Sequence, residues 1–320
     1  MRIYTIATLF LSLFAATTYA QSFSSPVEYI DYFNKEFTHM QELQIEYSSF
    51  LVYTRSDVAE NKRQSLLEAT QKTKERFEKL EAYPDDKGIK ANALKIVETM
   101  LEIGHKDYAS MASKKAGCTD CFASVLAEND LTDKDSKQLG KTMSVMIKNI
   151  ESFAKANDIT MEEGDDRESL LGKISRINGY IRQLDLATLE VQYADEAIVK
   201  ALNEKNPSKA KEGVKTIIKA ANNANKRLKQ VERIKEDATT IGQAERLVGF
   251  YKDAAKNLYP DMISAFDKKG NIINDKVNLY NKTIQKLSNG ANSWNAKYQT
   301  AKMNLQQRHI PKPKEKVIRS

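Results

Sequence analysis

Apolar positions recur at three-to-four-residue spacing through most of this chain, the pattern of amphipathic helices. Ser25-Pro26-Val27-Glu28 opens the first one. Ser25 is placed to cap, Pro26 suits the first helical position, and Glu28 can reach back to close a capping box. Phe33, Phe37, Met40, Gln44, Tyr47 and Leu51 then share a face as far as Tyr53. A second helix from Ser56 turns Leu66, Ala69, Thr73, Phe77 and Leu80 inward, and Tyr83-Pro84-Asp85-Asp86-Lys87-Gly88 breaks it, since proline disfavours helix at the preceding residue. A third, Ile89 to Lys115, buries Ile89, Ala93, Ile96, Met100, Ile103 and Met111. Ala116–Asp135 reads as an irregular connection holding a short helix at Phe122–Ala127. A fourth helix carries Leu139, Met143, Met146, Ile150 and Phe153, and Asn157–Asp166 is the expected boundary between two units.

The pattern then repeats. Ser56–Met111 superposes on Pro207–Met262 without a gap: Ala69 falls on Ala220, Arg76 on Arg227, Glu81 on Glu232, Asp86 on Asp237, Tyr108 on Tyr259 and Met111 on Met262. Leu43–Tyr47 matches Leu189–Tyr193 at a different offset, which pairs Glu36 and His39 with Arg182 and Asp185. Lys141-Thr142-Met143 matches Lys282-Thr283-Ile284, and Phe153 matches Trp294. The fold expected is all-α, a tandem duplication of an antiparallel four-helix unit. The units span residues 21–164 and 165–307, with a basic tail over 308–320. Pro260, Gly270 and Asn289-Gly290 are expected to weaken the late helices of the second unit.

Composition agrees with long helices, since the 320 residues include only 12 Gly and 6 Pro. The 50 basic and 43 acidic side chains are interleaved, so the net charge of +7 describes a solvated surface and not a nucleic-acid patch. Arg2, the apolar run Ile3–Ala16 and the small residue Ala20 form a secretory signal peptide with cleavage expected before Gln21. No later stretch is apolar enough to span a bilayer, so the mature chain is expected to be extracytoplasmic: periplasmic, at the cell surface or secreted.

Three groups of residues carry candidate chemistry. Glu36-Phe37-Thr38-His39 and Glu102-Ile103-Gly104-His105 repeat the Glu-x-x-His spacing of di-iron carboxylate bundles. Yet His39 lies about 120° from its helix's apolar centre and Glu102 falls opposite its own stripe. The aligned positions, Arg182 with Asp185 and Asp253 with Lys256, read as surface ion pairs. A metal site at Glu36, His39, Glu102 and His105 is therefore the alternative reading, and no cofactor is expected. Cys118-Thr119-Asp120-Cys121 lacks the βαβ setting of a redox dithiol and two of the four ligands of a zinc site, so a local disulfide is the plainest reading in an exported chain. Arg308, Lys312, Lys314, Lys316 and Arg319, with Pro311 and Pro313 between them, form a surface-charge tail. Asn222, Asn223 and Asn225 read as a solvated face, and Trp294 as a core residue.

The signal peptide, the Lys- and Asn-rich helices and the repeat plan together resemble exported helical surface proteins of Gram-negative bacteria whose function is unknown. Phosphate loops, nucleophile elbows and His-Glu-x-x-His motifs are missing from the sequence. The expected function is a non-enzymatic binding or scaffold module whose partner is a protein or cell-envelope component, with Ala116–Asp135 marking the recognition end. The cysteines give a first test. Exported protein should show no free thiol until reduced and should retain no zinc through dialysis. Because the ring is small, Cys118→Ser should cost only ~2 kcal/mol. A free thiol in the exported form, or stoichiometric zinc, overturns the disulfide reading.

Overall fold

The structure is a computed structural model, and it describes residues 23–105, 121–161 and 169–314, apart from the side chains of Ser56, Cys121 and Glu128. The expected signal peptide, Cys118, Lys316 and Arg319 lie outside the described residues. The fold is all-α: α1 (Pro26–Tyr53), α2 (Ser56–Lys79), α3 (Ile89–His105), α4 (Cys121–Ala156), α5 (Leu170–Asn203), α6 (Pro207–Gln230), α7 (Thr240–Ser264) and α8 (Val277–His309). An isolated bridge between Phe266 and Ile272 is the sole strand-like pairing among the described residues. None of the described helices is long and apolar enough to cross a membrane.

Neighbouring helices pack in order within each half, and each half has its own core. Tyr29, Phe33, Met40, Phe77, Ile89, Ile96, Val97 and Phe153 fill the first. A larger core of Ile177, Leu184, Val191, Ile198, Ile217, Leu247, Tyr259 and Tyr298 fills the second. Caps follow the sequence with adjustments. Ser25 Oγ accepts from the Glu28 N–H, but the Glu28 carboxylate bonds Ser24 instead of Ser25. Asn206 caps α6 through the Lys209 N–H, whereas Ser56 is already inside α2 and Arg55 supplies no side-chain cap. Pro260 sits within α7, and α8 runs unbroken through Gly290, where a Cβ would collide with the Phe250 ring. That glycine therefore serves close packing rather than a break.

The halves share a register. α2 and α6 have equal length, and their bounds lie 151 residues apart at both ends. The same spacing relates Tyr29–Asp86 to Tyr180–Asp237. In each half the first helix's tyrosine donates to the aspartate of the second loop. Asp86 also accepts from the N–H groups of Gly88 and Lys90, and Asp237 from those of Thr239, Thr240 and Ile241. One carboxylate thereby caps the third helix and ties it to the first. This corrects the offset read from Leu43–Tyr47: the counterpart of His39 is Glu190, not Asp185. Arg182 and Asp185 do not form a surface pair either. Arg182 bonds Asp133, while Asp185 accepts from Tyr298 and Lys302.

The halves meet head to tail. Tyr53, at the end of α1, donates to the carbonyls of Gln307 and Ile310 beyond the last turn of α8. The helix thus reaches His309 and Ile310 is buried, so no loose tail begins at Arg308. The other half of the seam is α4, which begins at Cys121 and not near Asp135. Its extra turns lie along α5: Phe122 stacks on Tyr193 at 6.4 Å, the Arg227 guanidinium sits 5.9 Å from the Phe122 ring centre, and Asp133 holds Arg182 and Gln183. The inward face there is Val125, Asn129 and Thr132, and these polar residues hid the helical period. Farther along, Met143 is exposed where burial was expected, as is Leu51 on α1.

The shared carboxylates make a stability prediction. Tyr180→Phe removes one hydrogen bond to a charged acceptor and should cost about 1–2 kcal/mol. Asp237→Ala leaves three N–H groups uncapped as well and should cost more, on the order of 2–4 kcal/mol. Urea denaturation of both variants, and of Tyr29→Phe and Asp86→Ala, checks the ranking. Equal costs for Tyr→Phe and Asp→Ala would remove the capping role.

Candidate functional site

The Glu-x-x-His residues do not converge. Glu36 accepts from Thr73 Oγ1 at 2.9 Å and forms a bidentate pair with Arg76, so its carboxylate is spoken for by α2. His39, Glu102 and His105 are exposed. Among the described residues no three His, Cys, Asp or Glu side chains form a group fit to hold a metal ion. Cys118 lies outside the described residues, as does the Cys121 side chain, so the disulfide is not on view. Of the tail residues, Arg308 closes α8 with its Nε on the Asn304 carbonyl, and Lys312 and Lys314 follow it. Asn223 bonds Glu190, and Trp294 is half-buried with Lys297 Nζ 4.1 Å above its ring. The fully buried aromatic of α8 is Tyr298, one turn on.

An open, shallow cleft lies elsewhere, between α5, the end of α6 and the loop that follows. It encloses about 750 Å³ and is lined by Arg176, Gly179, Tyr180, Gln183, Arg227, Gln230 and residues 231–235. Its floor is Tyr180, Val231 and Ile234. Tyr180 is held by Asp237, and burial together with that carboxylate pushes its phenol well above the usual range. Two guanidinium groups are fixed in direction. Arg176 forms a bidentate pair with Glu236, whose carboxyl it lowers to about 2. Arg227 is held between Glu190 and the face of Phe122. Arg233 and Lys235 are exposed on the loop, and no ion pair of either is seen among the described residues.

The equivalent place in the first half, 151 residues earlier, is closed. Phe23 packs edge-on against Tyr29 and Tyr32 at 5.0 and 5.5 Å, and Tyr83 lies 5.7 Å from both Tyr29 and Phe153. In the second half Ile174 stands for Phe23, Gln183 for Tyr32 and Ile234 for Tyr83, so three rings are missing and a cleft remains. Charge changes with shape: Arg176, Arg233 and Lys235 replace Ser25, Ala82 and Pro84, and Gly179 replaces Glu28. Sequence reasoning missed these residues because each looks like an ordinary surface cation. Reading the repeat for differences rather than identities would have found Ala82 against Arg233 and Pro84 against Lys235.

A second unusual group is buried in the same half. Asp195 accepts from Tyr259, with Tyr251 and Glu196 nearby. Burial raises the Asp195 carboxyl to about 6, although the tyrosine's hydrogen bond works the other way. It sits within the core between α5 and α7 and lines no cleft described here, so it bears on stability rather than binding. No family model, curated protein or solved structure matches this chain.

Asp195 gives a pH prediction. Its folded pKa lies above its unfolded value, so the native state holds the extra proton between about pH 4 and 6 and stability falls as pH rises through that window. Asp195→Asn keeps an acceptor for Tyr259 and removes the buried charge. It should therefore stabilise by about 1–3 kcal/mol at pH 7.5 and almost nothing at pH 4. Denaturation at the two pH values measures this. A gain of the same size at both would show that the ionised carboxylate carries no penalty.

Proposed function

We propose that this chain is an exported, non-enzymatic helical scaffold, built by tandem duplication of a four-helix unit, that binds through the cleft on its second unit. The observation that carries the reading is the unequal fate of one position. Both units keep the same Tyr–Asp frame at their heads. One head is packed shut by aromatic rings while the other is a cleft of about 750 Å³. Packing alone would favour filling both, because a buried aromatic ring contributes several kcal/mol. An open site kept on a rigid frame is what a binding function requires.

Export rests on Arg2, the apolar run Ile3–Ala16 and Ala20. Duplication is supported by the matching bounds of α2 and α6 and by the two Tyr–Asp pairs 151 residues apart. The recognition end moves accordingly. Residues 121–135, expected to be a recognition loop, are helix α4 and line the seam, so they position the cleft wall through Asp133 and Phe122.

Gly179 offers a clean test. It lies within α5, lines the cleft, and has nothing within 4 Å of where a Cβ would stand. Gly179→Trp should therefore fill the cleft without straining the helix. Wild type immobilised and exposed to the extracytoplasmic fraction should retain a partner that the variant retains at least tenfold less, with melting temperatures equal or slightly higher in the variant. Equal retention by both removes the cleft as the binding site.

A further inference from the structure

We infer that the cleft takes a multiply charged anion, carboxylate or phosphate, carried on a polar body of sugar-ring size; this rests on the cleft being the binding site. Charge, geometry and size point the same way. Of the lining cations, Arg176 and Arg227 are paired with Glu236 and Glu190, and Arg233 and Lys235 stand against the single further carboxylate of Glu232. The matching positions in the first unit are Ser25, Arg76, Ala82 and Pro84, with Glu28, Lys79 and Glu81, and are balanced. The cations were therefore gained where the aromatic rings were lost. Glu232 keeps the residue type of its counterpart Glu81, while Gly179 stands where the first unit has Glu28, so the site also holds one carboxylate fewer.

Roles divide among the four cations. Arg176 and Arg227 are committed to Glu236 and Glu190, which fixes their planes. They shape the positive wall. Arg233 and Lys235 stand on the loop after α6, exposed, and supply the charge that a ligand must neutralise. Gln183 and Gln230 add amide donors, and Tyr180 with Val231 and Ile234 gives an apolar floor on which a ring can rest. A volume of about 750 Å³ fits a small molecule or the end of an oligosaccharide, not a protein domain. The ligand is one free in solution, and the probes below separate it from the headgroup of a lipid.

The test is calorimetric titration of the full mature chain with inorganic pyrophosphate and with a trigalacturonate, alongside co-sedimentation with vesicles of two parts phosphatidylcholine to one part phosphatidylglycerol. At least one soluble anion should bind, with affinity falling as salt rises. The double variant Arg233→Ala/Lys235→Ala should weaken binding about tenfold or more, a change of about 1.4 kcal/mol or more. Gly179→Trp should abolish it. Both variants change exposed or unhindered positions, and circular dichroism confirms that they fold. Absence of binding by either soluble probe, binding unchanged in the double variant, or association with vesicles alone overturns the inference. If no anion binds but Gly179→Trp still loses the native partner, the ligand class fails and the binding site stands. If Gly179→Trp keeps the native partner, the site itself fails.

Discussion

One half-buried carboxylate in each half ties the first helix to the start of the third. Asp86 and Asp237 sit at the break between the second and third helices, where the chain must turn and where the next helix presents unbonded N–H groups. By accepting from those groups, each aspartate fixes where the third helix starts. By accepting from a tyrosine on the first helix, it fixes the distance between two helices that are not consecutive. For Asp237, burial works against the charge. The bonds from Tyr180, Ile241 and Thr240 outweigh it and hold the carboxyl below its ordinary range. The aspartate is thus a corner bracket, and the helices that branch from it inherit their spacing from it.

The two brackets also explain how the heads diverge without loss of the fold. Once backbone and helix spacing are set by the carboxylate, the side chains above it are free to change. One head has Phe23, Tyr32 and Tyr83 around the tyrosine ring; the other has Ile174, Gln183 and Ile234 at the positions 151 residues on and is open. The seam between the halves adds a second constraint. The long α4 lays Phe122 and Asp133 along α5, next to the cleft, so the wall on that side is shared between halves. Asn129 is buried within this part of α4 with its Oδ1 unpartnered among the described residues, a local cost to stability.

Much of the fold was legible in the periodicity. Among the described residues, eight helices, the break at Pro84 and the cap at Asn206 follow from apolar spacing, proline sterics and side-chain capping. The failures have definite physical causes. The first half of α4 carries Asn and Thr on its inward face, so a hydrophobic period could not reveal it. The register of α1 was misread because five similar residues, Leu43–Tyr47, are fewer than the tertiary contacts that align Tyr29 with Tyr180. Gly290 read as a breaker because a sequence does not show that Phe250 leans over it. The cleft was invisible for a different reason. It is made by side chains that are missing, and a single sequence reports what is present.

The bond from Tyr53 to Gln307 and Ile310 joins residues more than 250 positions apart. Closing so long a loop for that contact alone would cost on the order of 5 kcal/mol in chain entropy. The contact can therefore form only after both halves have folded and brought their ends together. During synthesis the first four helices emerge with the end of α1 uncovered, and they wait through more than half the chain for α8 to arrive. The first half must therefore hold itself together from its own core and its own aspartate bracket. The seam is thus a joint that depends on both cores already being in place.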